Sequence, residues 1–341
     1  MPQINKPTDY FNTVLYTGNA TARSITGVGF QPDYTVIKQR SGTEWHENFD
    51  VVRGTNKQIY WNTTNAEGTD SNKVTSFDSD GFSLGTANGV NQSSATYVAW
   101  NWLAGGTASS NTDGSITSSV SANTTSGFSI ATYTGNGTGS ATIGHGLGVA
   151  PKFVIIKSRS LTGESWQTWF DNDKRLNLNS TAVSFISTHP ISTSSTVVTT
   201  PSTVDNGWNT SSATYVMYSF AEIKGYSKFG SYTGNGSTDG TFVYTGFKPA
   251  WVMIKRTDSA DSWTIRDNKR DVDNVVTQIL YPDLSSAEAT AASNNYFDIL
   301  SNGFKLRGNS GQINGSGGTY IYMAFAESPL VGTNNIPSTA R

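Results

Sequence analysis

Cysteine is absent from this sequence, which removes disulfides, thiol nucleophiles and thiolate metal sites together. Histidine occurs only at His46, His145 and His189, too few for a histidine-rich metal centre. Charge is scarce too: 14 % of residues, with 23 basic against 25 acidic, so no basic footprint for nucleic acid stands out. No run of about 18 apolar residues is available to span a bilayer. The stretch Met1 to Tyr10 lacks the basic-then-apolar order of a secretion signal. What is abundant is glycine (34 residues), serine, threonine, asparagine and aromatics, the last at 12 %. Many aromatics with little charge argue against disorder. The same composition suits short strands and tight turns rather than helices.

The chain repeats itself. Tyr16-Thr17-Gly18-Asn19 recurs as Tyr133-Thr134-Gly135-Asn136 and as Tyr232-Thr233-Gly234-Asn235. A Gly-x-x-Pro element follows each, ending at Pro32, Pro151 and Pro249. Six residues later stands a lysine (Lys38, Lys157, Lys255), then an arginine (Arg40, Arg159, Arg256). An acidic residue and a tryptophan come next: Glu44 with Trp45, Glu164 with Trp166, Asp261 with Trp263. Each copy closes on a Thr-Tyr pair ending at Tyr97, Tyr215 or Tyr320, with Asn91, Asn209 or Asn314 six residues earlier. First to last tyrosine spans 81, 82 and 88 residues, so the markers keep both order and spacing. Units this size are large enough for a core of their own. The division read from these markers is repeat 1 at 1–104, a Gly/Ser/Thr linker at 105–126, repeat 2 at 127–225, repeat 3 at 226–330 and a polar tail at 331–341.

Each repeat reads as antiparallel strands. The run after each proline, such as Tyr34-Thr35-Val36-Ile37, is apolar on both parities, as a central strand requires. In the closing run, period two sets Val98, Trp100 and Trp102 on one face, expected to be the core side, with Tyr97, Ala99 and Asn101 opposite. Asp-Gly and Asn-Gly turns divide the rest into short strands. The expected fold is all-β: tandem antiparallel β-sandwich, jelly-roll-like repeats. One object with pseudo-threefold symmetry is the alternative, disfavoured by the long connector. Short helices are expected near Asn65-Ala66-Glu67 and Ser285-Ser286-Ala287-Glu288.

Little of this spacing points to catalysis. Glycoside hydrolysis needs two carboxylates across a cleft, and the repeats do not keep the acidic grouping of Glu44, Glu47 and Asp50. No Gly-x-Ser-x-Gly elbow supports a serine triad. Asp78-Ser79-Asp80-Gly81 and Asp171-Asn172-Asp173 offer oxygen ligands without a complete calcium loop, and read as Asx-rich turns. Trp45, Trp166 and Trp263, each near a carboxylate, are the candidate ligand-binding residues, since an exposed indole stacks on a sugar ring. The competing assignment packs all three at the sandwich edge. The reading includes no catalytic residue, no metal ligand and no cofactor.

Phe128-Ser129-Ile130-Ala131-Thr132-Tyr133-Thr134-Gly135-Asn136-Gly137, Gly144-His145-Gly146-Leu147-Gly148-Val149-Ala150-Pro151 and Tyr320-Ile321-Tyr322-Met323-Ala324-Phe325-Ala326-Glu327 resemble a repeat family of marine tailed-bacteriophage (cyanophage-type) virion proteins, often described as tail-fibre or concanavalin/laminin-G-like. The resemblance extends over about Tyr10 to Pro329 and brings no catalytic or ligand residues. It implies a non-enzymatic protein of the particle surface, a tail-fibre or adhesin-type appendage contacting the host envelope; the alternative is a capsid decoration or knob protein on the phage head. The partners it implies are other virion proteins and a host surface glycan, with no nucleic acid, no membrane insertion and an open oligomeric state.

Overall fold

The computed structural model describes residues 2–170, 174–183, 185–186 and 190–331. The chain is all-β, with antiparallel sheets throughout and short helical turns such as Asn88–Asn91 and Gly311–Asn314. Each repeat builds a two-layer sandwich. In repeat 1 the larger sheet runs Phe11–Thr17, Thr96–Trp102, Tyr34–Gln39, Glu47–Asp50, Lys57–Tyr60. The smaller sheet runs Arg23–Thr26, Gly81–Leu84, Val74–Asp78. Repeat 3 repeats the order with Ser227–Thr233, Thr319–Pro329, Phe247–Arg256, Thr264–Asp267 over Phe242–Tyr244, Gly303–Leu306, Phe297–Leu300. Repeat 2 follows with Phe128–Thr134, Thr214–Phe220, Phe153–Ser158, Gln167–Phe170 over Thr142–Gly144, Val197–Thr199, Ser192–Thr193. Two of the three small-sheet strands thus come from a Ser/Thr/Val stretch after Leu178, and Thr142–Gly144 supplies the third.

The recurring Tyr-Thr-Gly-Asn phrase is explained by this framework. Tyr16, Tyr133 and Tyr232 stack on Tyr97, Tyr215 and Tyr320 at 5.0, 5.1 and 4.9 Å. Their hydroxyls donate to the carbonyls of Val90, Trp208 and Ile313. Asn91, Asn209 and Asn314 are fully buried and accept the N–H groups of Asn19, Asn136 and Asn235. The glycine is there for clearance: a Cβ on Gly18 would sit 2.2 Å from the Gln92 carbonyl oxygen, and one on Gly135 2.2 Å from that of Thr210. The motif is spent on pinning the loop to its strand pair.

The closing strands correct the expected core. They are central strands buried on both faces, so both parities pack. Tyr97 and Ala99 face the interior of their own sandwich with Val14, Ile37 and Phe82. Repeats 2 and 3 have equivalent interiors around Tyr215 with Met217 and Tyr320 with Tyr322. Val98, Trp100 and Trp102 turn the other way, into one cluster shared with Val216, Tyr218 and Phe220 of repeat 2 and Ile321, Met323 and Phe325 of repeat 3. Aromatic contacts cross every boundary: Trp102 to Phe325 at 5.7 Å, Phe220 to Phe325 at 6.0 Å, Tyr34 to Tyr218 at 4.5 Å.

The disfavoured alternative is therefore the observed arrangement. Backbone and side-chain bonds run from repeat 1 to 2 (Trp166 to Tyr60), 2 to 3 (Trp263 to Asn177) and 3 to 1 (Glu288 to Arg40), closing a pseudo-threefold ring. The segment expected as a linker is not a spacer. It carries Ser109–Asn111 and Ser118–Asn123, which extend the large sheet of repeat 2 along Phe128–Thr134. Of the polar tail, only Val331 lies within the described residues.

No helix forms at either expected place. Glu67 and Glu288 hold matching seams instead. The Glu67 N–H donates to the Arg159 carbonyl and the Glu288 N–H to that of Arg40. The Glu67 carboxylate takes Arg159 through two bonds of 2.9 Å, and Glu288 grips Arg40 the same way, closest at 2.6 Å. Bidentate pairing of this kind is the strong form of the ion pair.

Lys157 and Lys255 are also seam residues, while Lys38 ties a loop of its own repeat; all three are fully buried. Their ammonium groups donate to carbonyls: Lys157 to Glu164 and Thr64, Lys255 to Asp261 and Thr181, Lys38 to Gln39 and Gly42. Burial pulls each down from the usual lysine range to about 8. An unfolded lysine holds its proton to about 10.4. Between those values the unfolded chain binds more protons, so stability increases with pH. Burial pushes Tyr34, Tyr133 and Tyr232 well above the ordinary tyrosine value. The unfolded chain loses those protons first, so stability declines above about pH 10. The expected result is a thermal midpoint that rises from about pH 8 to a maximum between about 9 and 10. A midpoint falling steadily across that window would show that the lysines are not held neutral by folding.

Candidate functional site

The three candidate tryptophans part company. Trp166 and Trp263 are buried, their indole N–H groups donating to carbonyls of the preceding repeat at 2.7 and 3.1 Å. They are seam residues and offer no face to a sugar, which corrects their reading as ligand-binding. Trp45 is 40 % exposed.

Strand register explains the split. Val36 pairs with Asn48, Ile155 with Thr168 and Met253 with Ile265. Counting back two residues aligns Trp166 and Trp263 with His46, not Trp45. A one-residue offset moves a side chain to the other face of a strand. His46 accordingly lies in the seam, stacked on Trp61 and Trp100 at 5.9 and 6.4 Å, its imidazole held neutral by burial. The shorter spacing of Glu44-Trp45, with no serine between, was the signal for this difference.

Trp45 packs one side on Tyr60 at 4.4 Å. Tyr60 is fixed from behind, its hydroxyl accepting from Lys73 at 3.2 Å, while Lys73 pairs with Glu47 at 2.6 Å. Burial pushes the Glu47 carboxyl up to about 7, against the opposing pull of Lys73. The indole therefore stands on a rigid base.

Glu44, its neighbour in sequence, enters a groove of 440 Å³ lined also by Gln39, Thr43, Gln92 and Ser93. The Gln39 amide donates to Gln92 at 2.9 Å, and the Lys38 ammonium ties the loop through Gln39 and Gly42. The groove's amides, hydroxyls and one carboxylate suit the hydroxyls of a carbohydrate, and the half-exposed indole that follows Glu44 in the chain suits its ring.

The oxygen-rich turn at 78–81 is occupied by the protein itself. Asp80 accepts the N–H groups of Gly27 and Gly29, and Asp78 the hydroxyls of Ser76 and Ser83. Asp171-Asn172-Asp173 lies outside the described residues. Among the described residues, no group of three or more His, Asp or Glu side chains converges as a metal site would.

No curated protein and no solved structure matches the chain. The signature that ties its repeats together, stacked tyrosines, clearance glycines and buried asparagines in a three-membered ring, runs through nearly all of its length. Residues 6–329 match the family described as a domain of unknown function, DUF7483, and the chain belongs to that family.

Proposed function

We propose that this protein is a non-enzymatic surface component of a tailed-bacteriophage particle, an appendage of the tail-fibre or adhesin type that contacts host-surface glycan through Trp45. The likeness of its phrases to virion repeats supports the setting. Trp45 carries the contact: it is the candidate left half-exposed, on a fixed tyrosine and next in sequence to Glu44, which lines a polar groove. Replacing it with alanine is expected to weaken binding to host cells or their polysaccharide at least about tenfold, equivalent to about 1.4 kcal/mol. Folding stability should change by less than about 1 kcal/mol, since the site is on the surface. Undiminished binding by Trp45→Ala, or none by the unaltered chain, defeats the glycan reading.

The ring favours a second reading, decoration of the head, because an object with internal threefold symmetry suits a local threefold position of a capsid lattice. Gold-labelled antibody on intact particles separates the two: label on tails supports the appendage, label on heads the decoration.

A further inference from the structure

Equivalent strands form one edge of each large sheet: Phe11–Thr17, Phe128–Thr134 and Ser227–Thr233. Their outer sides are treated in three different ways. In repeat 2 the edge is covered by Ser118–Asn123, which pairs antiparallel with Phe128–Thr134, Ser119 opposite Thr132 and Ser121 opposite Ile130. In repeat 1 it is blunted by side chains: Asn12 accepts the Thr13 N–H, and Arg23 donates to the Thr17 carbonyl. In repeat 3 no described strand pairs with it along Phe229 to Thr233, although Phe229 itself is buried. The Gly234 N–H bonds the Gly318 carbonyl. Antiparallel alternation then directs the backbone groups of Gly230 and Tyr232 inward and those of Phe229, Ser231 and Thr233 outward. The outward row has little to meet: a Thr241 hydroxyl reaches the Thr233 carbonyl, and no described strand lies alongside. Ser231 and Thr233 are exposed, and Tyr232 is less covered than its equivalent Tyr133.

We propose that the outer edge of Phe229–Thr233 is a docking site for one extended segment of a partner protein, added antiparallel as a further strand. An open edge is a template for such pairing. The occupant is specified by the homologous edge within the same chain. Ser118–Asn123 alternates small polar residues with Val120 and Ala122, and sets Ser119 and Ser121 at the positions that would oppose Ser231 and Phe229. The partner segment is therefore about five residues of serine, threonine or alanine alternating with small β-branched residues, without proline.

The test uses the whole chain and a peptide of sequence Ile116 to Asn123, with amide hydrogen exchange as readout. In the chain alone, the amides of Phe229, Ser231 and Thr233 should exchange rapidly while those of Ile130 and Thr132 are protected. With peptide at about 1 mM, the three amides should slow at least about tenfold, as expected where local opening governs exchange. Ser231→Pro removes one outward donor and leaves the inward ladder intact. It should abolish the protection with an unchanged thermal midpoint. Absent protection overturns the proposal, as does equal protection in a folded Ser231→Pro chain. Protection that appears without peptide and grows with protein concentration overturns the partner assignment and makes the occupant a second copy.

Discussion

Repeat 2 taken out of the chain as residues 105–225, with its covering strands, should not fold. Its own sandwich interior would be complete, around Tyr133, Tyr215 and Trp208. The opposite face would be bare. Phe128, Ile130, Phe153, Trp166, Tyr218 and Phe220 are all at most 4 % exposed in the ring, in the cluster shared with the other repeats. Exposing an apolar side chain of this size forfeits about 1.5–3 kcal/mol. Six of them account for about 9–18 kcal/mol, at least equal to the 5–15 kcal/mol of a typical domain. The fragment is expected to lack near-ultraviolet circular dichroism and to bind a hydrophobic dye, while the whole chain unfolds in one transition. A sharp unfolding transition from the fragment would show that the shared cluster is dispensable.

That cluster marks the limit of what the sequence makes legible. Repetition is visible because each copy needs the same tyrosine stack, clearance glycine and buried asparagine to close its loop. The strands are visible because alternation and turn residues are local. Whether Trp100 points into its own sandwich or across to another repeat is not local. Both parities of Thr96–Trp102 are apolar, and period two cannot say which face meets which partner. Ser118–Asn123 was missed for a related reason, its serines and alanine carrying little strand propensity while its partner strand supplies the order. The site was half legible. Trp45 belongs to a recognisable marker, but its exposure follows from a one-residue difference in register that only the pairing of Val36 with Asn48 reveals. Glu67 and Glu288 stand in the repeated phrases Ala66-Glu67-Gly68-Thr69 and Ala287-Glu288-Ala289-Thr290, which signal equivalence without signalling their arginine partners.

Removing Arg53 should destabilise the chain by about 3–5 kcal/mol, the usual result of leaving a buried carboxylate without its cation. Both side chains of the Asp50–Arg53 pair are fully buried, at 2.5 Å. The Asp50 carboxylate also accepts the Val52 and Arg53 N–H groups and, across the seam, the Tyr218 hydroxyl at 2.7 Å. Arg53 goes on to Glu67, and Glu67 to Arg159 of repeat 2, so one chain of charges ties the two repeats. Asp267, Arg270, Glu288 and Arg40 reproduce it between repeats 3 and 1, with the Trp100 indole donating in place of the tyrosine. Among the described residues, the remaining seam does not repeat the pattern. Phe170 stands where the others have aspartate and Met323 where they have Tyr218 or Trp100, both inside the shared cluster. At the two seams that carry it, each buried charge has a matched partner. It follows that Arg53→Met and Asp50→Asn are each costly alone, because each strands the other charge, whereas the double variant removes both charges and keeps an acceptor for the two N–H groups. Measured by urea unfolding, the double variant should be more stable than Arg53→Met by at least about 2 kcal/mol, a coupling typical of residues in one network. Simple additivity of the two losses would mean that Asp50 and Arg53 act on the seam independently.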